Sequence, residues 1–419
     1  VRAVPSFTGS AACSQSRCPC LCPLMGDDCS QGGSVVCGSW IKRPDNAHLA
    51  VIGRLGLPRS PSASSLQILF FDVRSTSLSS SPKAACVLEE GEPVAIAVHP
   101  SGDHILCATT SGGCKLFELS SQEADLRLLP KELSPLEAVG PQNCVAFSAD
   151  GSRLATGGRD GHLRIFEWPS LRIVLDEPRA DKPFRDMDFS LDSNYLASTS
   201  SDGSARIWKA DDGLLVTSLS RNTDEKIELC RFSKDGTKPF LFCTVQKGDE
   251  AVTGVWDMST WNKIGFKRLL RKPATILSVS LDGKFVALGS RDGDICVVDV
   301  KRMEPCHWIK RLHPGTCIAS LEFCPSERVV LTASGKWGAK VTRINIPAEW
   351  KEWQIYLLLL GCFLVSLAAF YIFFENSDSF WNFPVERAQP SRPEGQTMFQ
   401  EPQFQDEQNM WEPFGPLDM

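Results

Sequence analysis

Positive charge is in short supply in this chain of 419 residues: 44 Lys and Arg face 50 Asp and Glu, for a formal charge of −6. Without a basic field the chain has nothing to hold nucleic acid, and that class of partner drops out. Histidine is scarcer still, at six, and none sits beside a Ser or Cys in a nucleophile pattern, so no catalytic residue is assigned. The N-terminal cysteines hint at a metal cluster, with no histidine beside them. The N-terminal Cys13, Cys18, Cys20, Cys22, Cys29 and Cys37 include a C-x-C-x-C run, not the pair spacing of structural zinc, and the first histidine is His48. No metal-binding or cofactor-binding residue is therefore assigned either. The same segment lacks the apolar core of about 7 to 15 residues that a signal peptide needs. It begins at Val1, and Met25 reads as a start, which leaves residues 1–34 as a Cys-rich extension set apart from the rest.

Long apolar runs are absent, with one exception. Ile355 to Phe374, IYLLLLGCFLVSLAAFYIFF, carries no charge and at about 1.5 Å per residue reaches the roughly 30 Å of a bilayer core. A core helix of that length would carry a polar stripe, and this one has none. Trp350, Trp353 and Tyr356 at one end and Tyr371, Phe373, Phe374 and Trp381 at the other suit the headgroup level. Residues 355–374 are therefore expected to span a membrane once. Lys336, Lys340, Arg343 and Lys351 precede the span, whereas Glu375 and Asp378 follow it, so the large N-terminal part is expected in the cytosol and residues 375–419 in the lumen. That tail holds nine acidic and two basic side chains, a net −7, and is rich in Pro and Gln. Its composition predicts disorder, with Phe399, Phe404, Trp411 and Phe414 as sparse contact points.

Cysteine is plentiful, at 17. In a short secreted chain that number would mean disulfides, but Cys107, Cys144, Cys230, Cys243, Cys296 and Cys324 fall inside apolar strand patterns. They read as small core side chains in a reducing compartment.

The part before the span repeats itself. Segments beginning at His99, Ser148, Ser190, Ser233, Ser280 and Cys324, 42 to 49 residues apart, each give a polar turn, an apolar strand, a second turn and another strand. Asp150-Gly151, Asp160-Gly161, Asp202-Gly203, Asp282-Gly283 and Asp292-Gly293 supply residues tolerant of positive φ, as tight hairpins require. The runs between them alternate, as in Leu163, Ile165, Phe166 and Ala205, Ile207, Trp208. Radial stacking of such units is a β-propeller. A less regular unit at Gly38 to Val73 makes the seventh blade, so residues 35–348 are expected to form an all-β, seven-bladed propeller ahead of one transmembrane helix.

The strand ends Val255-Trp256-Asp257 and Arg206-Ile207-Trp208-Lys209 resemble the WD-repeat family. The Gly-His dipeptide of that family does not recur from repeat to repeat, Gly161-His162 in a hairpin being an isolated instance, and with it goes the expectation of the usual buried His–Asp network. Two short features weigh little. Gly157-Gly158-Arg159-Asp160-Gly161 could pass for a phosphate loop, but it lies in a hairpin and opens no helix. The basic run Lys263, Lys267, Arg268, Arg271 and Lys272 reads as a solvated loop between blades, with contact to anionic headgroups or an acidic partner as the alternative.

Propeller and C-terminal span together resemble the endoplasmic-reticulum exchange factors that load GTP onto the small GTPase initiating the COPII coat. The resemblance is closer to the plant branch of that family, the phosphate transporter traffic facilitators. It rests on VVCGSWIKRP (Val35 to Pro44), AVHPSGD (Ala97 to Asp103), GGCKLFEL (Gly112 to Leu119), RDMDFSLDS (Arg185 to Ser193), TSSDGSARIWKA (Thr199 to Ala210), IELCRFSKDGTKPFLFC (Ile227 to Cys243), ASLEFCPSERV (Ala319 to Val329) and EWKEWQIY with FFENSDSFW (Glu349 to Trp381). The resemblance implies an endoplasmic-reticulum membrane protein with phosphate transporters as cargo and the coat GTPase as a second possible partner. In the exchange factors a glycine run in the first blade, followed by Gly-Ile and Asn, binds a cation and contacts the GTPase. Here the matching stretch is Val51-Ile52-Gly53-Arg54-Leu55-Gly56-Leu57-Pro58-Arg59-Ser60-Pro61. Its prolines fix φ and remove N–H donors where glycines would leave both free. The expectation is a non-catalytic accessory factor for transporter exit, with nucleotide exchange on the coat GTPase as the alternative.

Overall fold

The computed structural model describes residues 34–43, 48–56, 63–122, 125–248, 250–345 and 352–377. The N-terminal extension and the acidic tail, with the expectations placed on them, lie outside that set. Two compact units result, residues 1–347 and 348–419.

The first unit is seven antiparallel sheets. Blade 1 holds β1 (Val35–Trp40), β2 (Leu49–Arg54), β3 (Ser65–Asp72), the short β4 (Ser77–Leu78) and β5 (Ala84–Val87). Blade 2 holds β6 (Pro93–Val98), β7 (His104–Thr109), β8 (Cys114–Gln122) and β9 (Asp125–Lys131), followed by a single helical turn, α1 (Ser134–Glu137). Blade 3 is β10 (Gln142–Phe147), β11 (Arg153–Gly158), β12 (Leu163–Glu167) and β13 (Arg172–Glu177). Blade 4 is β14 (Phe184–Phe189), β15 (Tyr195–Ser200), β16 (Ala205–Lys209) and β17 (Leu215–Ser218). Blade 5 is β18 (Glu225–Phe232), β19 (Phe240–Lys247), β20 (Glu250–Asp257) and β21 (Lys263–Lys267). Blade 6 is β22 (Ala274–Val279), β23 (Phe285–Ser290), β24 (Ile295–Asp299) and β25 (Glu304–Ile309). Blade 7 has three strands among the described residues, β26 (Ser320–Phe323), β27 (Val329–Ser334) and β28 (Gly338–Arg343).

The first strands β1, β6, β10, β14, β18, β22 and β26 each contact the next, and β26 returns to β1. This closes the ring expected from the repeat. The repeated polar turns work as anticipated. Ser148, Ser190 and Ser280 each donate Oγ to the Asp two residues on, and each accepts the N–H of the residue five positions on. Burial disfavours the ionised Asp150 carboxyl, but hydrogen bonds from Ser148 and Ser152 outweigh it and hold it well below the usual carboxylate range. The Asp-Gly glycines sit at positive φ, between 69° and 85°.

Gly203 shows why that position is closed to other residues. Its φ is +84°, and a Cβ there would lie 2.6 Å from Lys226 Cβ and 2.7 Å from Lys226 Cα. Gly203→Val is expected to lower stability by roughly 1–3 kcal/mol through backbone strain alone, read as a lower denaturant midpoint. An unchanged midpoint would mean that this turn does not hold the conformation described.

Cysteines behave as core. Cys107, Cys144, Cys230, Cys243, Cys296 and Cys324 are buried, and burial pushes the Cys296 thiol up to about 12.

Buried polar networks occupy the connections into blades 4 and 7 without His–Asp pairs, whereas a His–Asp contact does occur in blade 3, where His162 Nε2 lies 2.5 Å from Asp176 Oδ1, a carboxylate whose side chain is 48% exposed. Asp181, its side chain 1% exposed, pairs with Arg206 at 3.0 Å and accepts hydrogen bonds from Ser200 Oγ at 3.0 Å and Ser204 Oγ at 3.1 Å. His313, fully buried, lies between Ser334 Oγ at 2.8 Å and Thr332 Oγ1 at 2.9 Å. Burial, helped by Lys340, pulls its pKa down to about 4, so it stays neutral.

The second unit contains α2 (Glu352–Ser377). Its apolar stretch, Trp353–Glu375, is 23 residues long with a mean hydropathy of 2.6 and is exposed along its length. This single helix is long and apolar enough to span a membrane, and it is no core helix.

Candidate functional site

An antiparallel meander sends its turns alternately to two faces. The turn between second and third strands and the connection to the next blade emerge on one face of the ring. The turn between first and second strands emerges on the other. The end of β2 at Arg54 and the start of β3 at Ser65 therefore lie on the first face. The chain leaves β28 on the second.

The first-blade loop is described up to Gly56, and residues 57–62, with Pro58, Arg59 and Pro61, lie outside the described set. Leu55 N–H donates to Ser34 O at 2.8 Å and Gly56 N–H to Ser64 Oγ at 3.3 Å, which ties both ends of the loop to blade 1. Gly53 has a packing task. A Cβ there would lie 2.5 Å from Cys37 Sγ and 3.0 Å from Pro93 Cβ, at the seam with blade 2. Burial pushes the Cys37 thiol up to about 12, against a hydrogen bond to the Gly53 backbone.

The same position, fifth in the second strand, is Ala108, Gly157, Thr199, Thr244, Gly289 and Ala333 in the other blades. At Gly157 a Cβ would meet Met187, Cys144 and Phe184, and at Gly289 it would meet Ile276 and Ile318. A small residue there lets the next blade approach, so Gly53 belongs to the fold and is not a remnant of a glycine-rich site.

Gly157 to Gly161 forms the end of β11 and the turn into β12, as the hairpin reading expects. The basic run differs from its expectation. Lys263 and Lys267 are the two ends of β21, the outer strand of blade 5, and only Arg268 onward is a connection. Arg268 pairs with Glu250 at 2.8 Å and Lys267 with Glu304 of blade 6 at 3.7 Å. The periodicity that finds inner strands misses an outer one, because half of its side chains face water.

Sequence reasoning also missed the charges on the inner strands of blades 4 and 5. Arg231 pairs with Asp186, which also accepts the Cys230 N–H at 3.1 Å; Asp188 accepts the Phe232 N–H at 2.8 Å, and Arg185 pairs with Glu228. Burial pushes the Asp186 carboxyl up, against the pull of Arg231. It also opposes the Arg231 charge, but Asp186 and Asp188 outweigh it and keep that pKa raised. These groups bind one blade to the next. The available signal was the alternation of charge with apolar residues in FRDMDF and EKIELCRF. Among the described residues no three His, Cys, Asp or Glu side chains converge as metal ligands.

Comparison with known proteins matches residues 137–167 and 175–209 to the WD domain, G-beta repeat. SEC12-like protein 1 of Arabidopsis thaliana is 57% identical over 364 residues, covering 86% of this chain and 92% of that protein. SEC12-like protein 2 of the same plant is 30% identical over 294 residues, 68% of this chain and 74% of that one. The guanine nucleotide-exchange factor SEC12 of Rattus norvegicus is 28% identical over 203 residues, 44% and 48% of the two chains.

Proposed function

This chain belongs to the SEC12-like protein family, and we propose that it is an accessory factor of the endoplasmic-reticulum membrane that enables phosphate transporters to leave that compartment by binding, without catalysis. The observation that carries the reading is the first-blade loop. An exchange factor must stabilise a nucleotide-free GTPase through contacts made only in that state. The glycine run that the resemblance assigns to those contacts is replaced by Arg54-Leu55-Gly56-Leu57-Pro58-Arg59-Ser60-Pro61, and Gly53 is occupied at the blade seam. A cargo factor needs a binding surface and an anchor, and the propeller and α2 supply both.

The second reading, exchange on the coat GTPase, is favoured by the 28% identity to a named exchange factor. The experiment that separates the two has two arms. Full-length protein in neutral-lipid nanodiscs should leave GDP release from the coat GTPase at its intrinsic rate. Deleting the gene should hold a phosphate transporter in the endoplasmic reticulum while an unrelated plasma-membrane protein passes. Retention of both cargos, or GDP release as fast as with a glycine-loop relative, puts exchange in place of the accessory role.

In the same reading the propeller is cytosolic and the residues after Phe374 lumenal. Protease added to intact microsomes is expected to remove an N-terminal tag and spare a C-terminal one. The reverse pattern would place the propeller in the lumen and end any direct action on a cytosolic coat.

A further inference from the structure

We propose that the outer strand β21 is the docking edge for an extended acidic segment from a cargo protein's cytosolic tail, added to blade 5 as a fifth strand. This deepens the cargo-binding reading and rests on it only for whose segment is bound. β21 pairs with β20 on one side and with no strand among the described residues on the other, so it offers the backbone edge that strand addition uses. Its side chains add a chemical preference. Ile264 is 59% and Phe266 69% exposed, and Phe266 is the most exposed large apolar side chain of the propeller among the described residues. Lys263 Nζ lies 5.0 Å from the Phe266 ring centroid and 5.6 Å from that of Trp256, which holds a cation and an aromatic face together. Arg271 and Lys272, just past the strand, are exposed.

Two observations choose the occupant. Lys263, Lys267, Arg268, Arg271 and Lys272 outnumber the carboxylates set against them, Glu250 and Glu304 in ion pairs and Glu225 near Lys263, so the edge attracts negative charge. A second copy pairing through the same edge would set its lysines against these, which disfavours self-association. The exposed Leu214, Leu215 and Val216 at the edge of blade 4 lack such a basic frame.

The test uses full-length protein in neutral phosphatidylcholine nanodiscs and a fluorescent peptide of about a dozen residues alternating Glu with Val, carrying one central Phe. Saturable binding by anisotropy is expected, weakened about tenfold or more by the double variant Ile264→Thr/Phe266→Ser. Arg271→Glu/Lys272→Glu should weaken it likewise, Leu215→Ser should leave it unchanged, and a peptide with Lys in place of Glu should not bind. All three variants change exposed side chains, and matched melting verifies their folding. The idea is overturned by any of these results: no saturable binding; binding by Ile264→Thr/Phe266→Ser and Arg271→Glu/Lys272→Glu equal to that of the unaltered protein; phosphatidylserine vesicles captured through these residues while the peptide is not; or a dimer that Phe266→Ser dissolves. Affinity for the peptide that appears only when residues 378–419 are removed would make the chain's own tail the occupant and overturn it too. Failure here differs from failure of the cargo reading. If only the docking edge is wrong, Ile264→Thr/Phe266→Ser still rescues transporter exit in the deletion strain.

Discussion

Arg231→Ala is expected to cost about 3–5 kcal/mol of stability at neutral pH, the range for removing one partner of a buried ion pair. Arg231 and Asp186 join the first strands of blades 4 and 5, with side chains 22% and 10% exposed. Taking the guanidinium away leaves a carboxylate whose remaining protein donor is the Cys230 N–H. The sign of the pH dependence follows. Burial already sets the folded pKa of Asp186 above its ordinary value, and losing Arg231 raises it further. The folded variant therefore takes up a proton more readily than the unfolded chain, and its stability recovers as pH falls through that raised pKa. Urea midpoints of the full-length protein at several pH values measure this. The double variant Asp186→Leu/Arg231→Met should regain much of the loss, because apolar partners of similar size remove the orphaned charge. A single variant near wild-type stability at pH 7 would mean that water reaches the pair and the seam between these blades does not depend on it.

The sequence displayed the strands that are buried and hid those that are half exposed. β11, β15 and β23 are buried along nearly their whole length, and their Asp-Gly turns announce them. β13, β17 and β21 have exposed or half-exposed residues throughout, so no apolar period marks them, and KIGFK read as a loop. First strands are harder in another way. Asp186, Asp188, Glu228 and Glu322 look like surface residues in isolation and become legible only when the neighbouring blade supplies Arg231, a backbone N–H, Arg185 or Trp40. The networks at Asp181 and His313 were hidden for the same reason. A dipeptide signature records one solution to satisfying a buried connection, and these residues are other solutions. For the candidate site, the replacement of the glycine run was visible in the sequence only through the resemblance to the exchange factors, whereas the seam role of Gly53 needed the position of Pro93.

Ring closure leads to the last expectation. Among the described residues blades 1 and 7 are separate sheets sharing no strand, and side chains and hydrogen bonds join them there. Trp40 is central to that seam. It is fully buried and meets Phe71 edge-on at 5.4 Å; its Nε1–H donates to Glu322 O at 3.1 Å and its backbone N–H to Glu322 Oε2 at 2.8 Å. Ser320 Oγ adds a bond to Gly38 O at 2.7 Å. Trp40→Ala should cost about 3–5 kcal/mol, the usual range for deleting a buried Trp. Trp256→Ala, which empties an equally buried site inside blade 5, should cost a similar amount. The two should differ in where the loss appears. An opening seam exposes β1 and β26 before the rest of the ring, so Trp40→Ala should speed hydrogen exchange there first, while Trp256→Ala should loosen blade 5. Glu322→Gln, which weakens the bond to the Trp40 N–H but keeps the ring buried, should shift exchange in the same strands to a smaller degree. Uniform exchange around the ring in Trp40→Ala would show that closure is shared among all seven blades and that this seam is no weaker than the others.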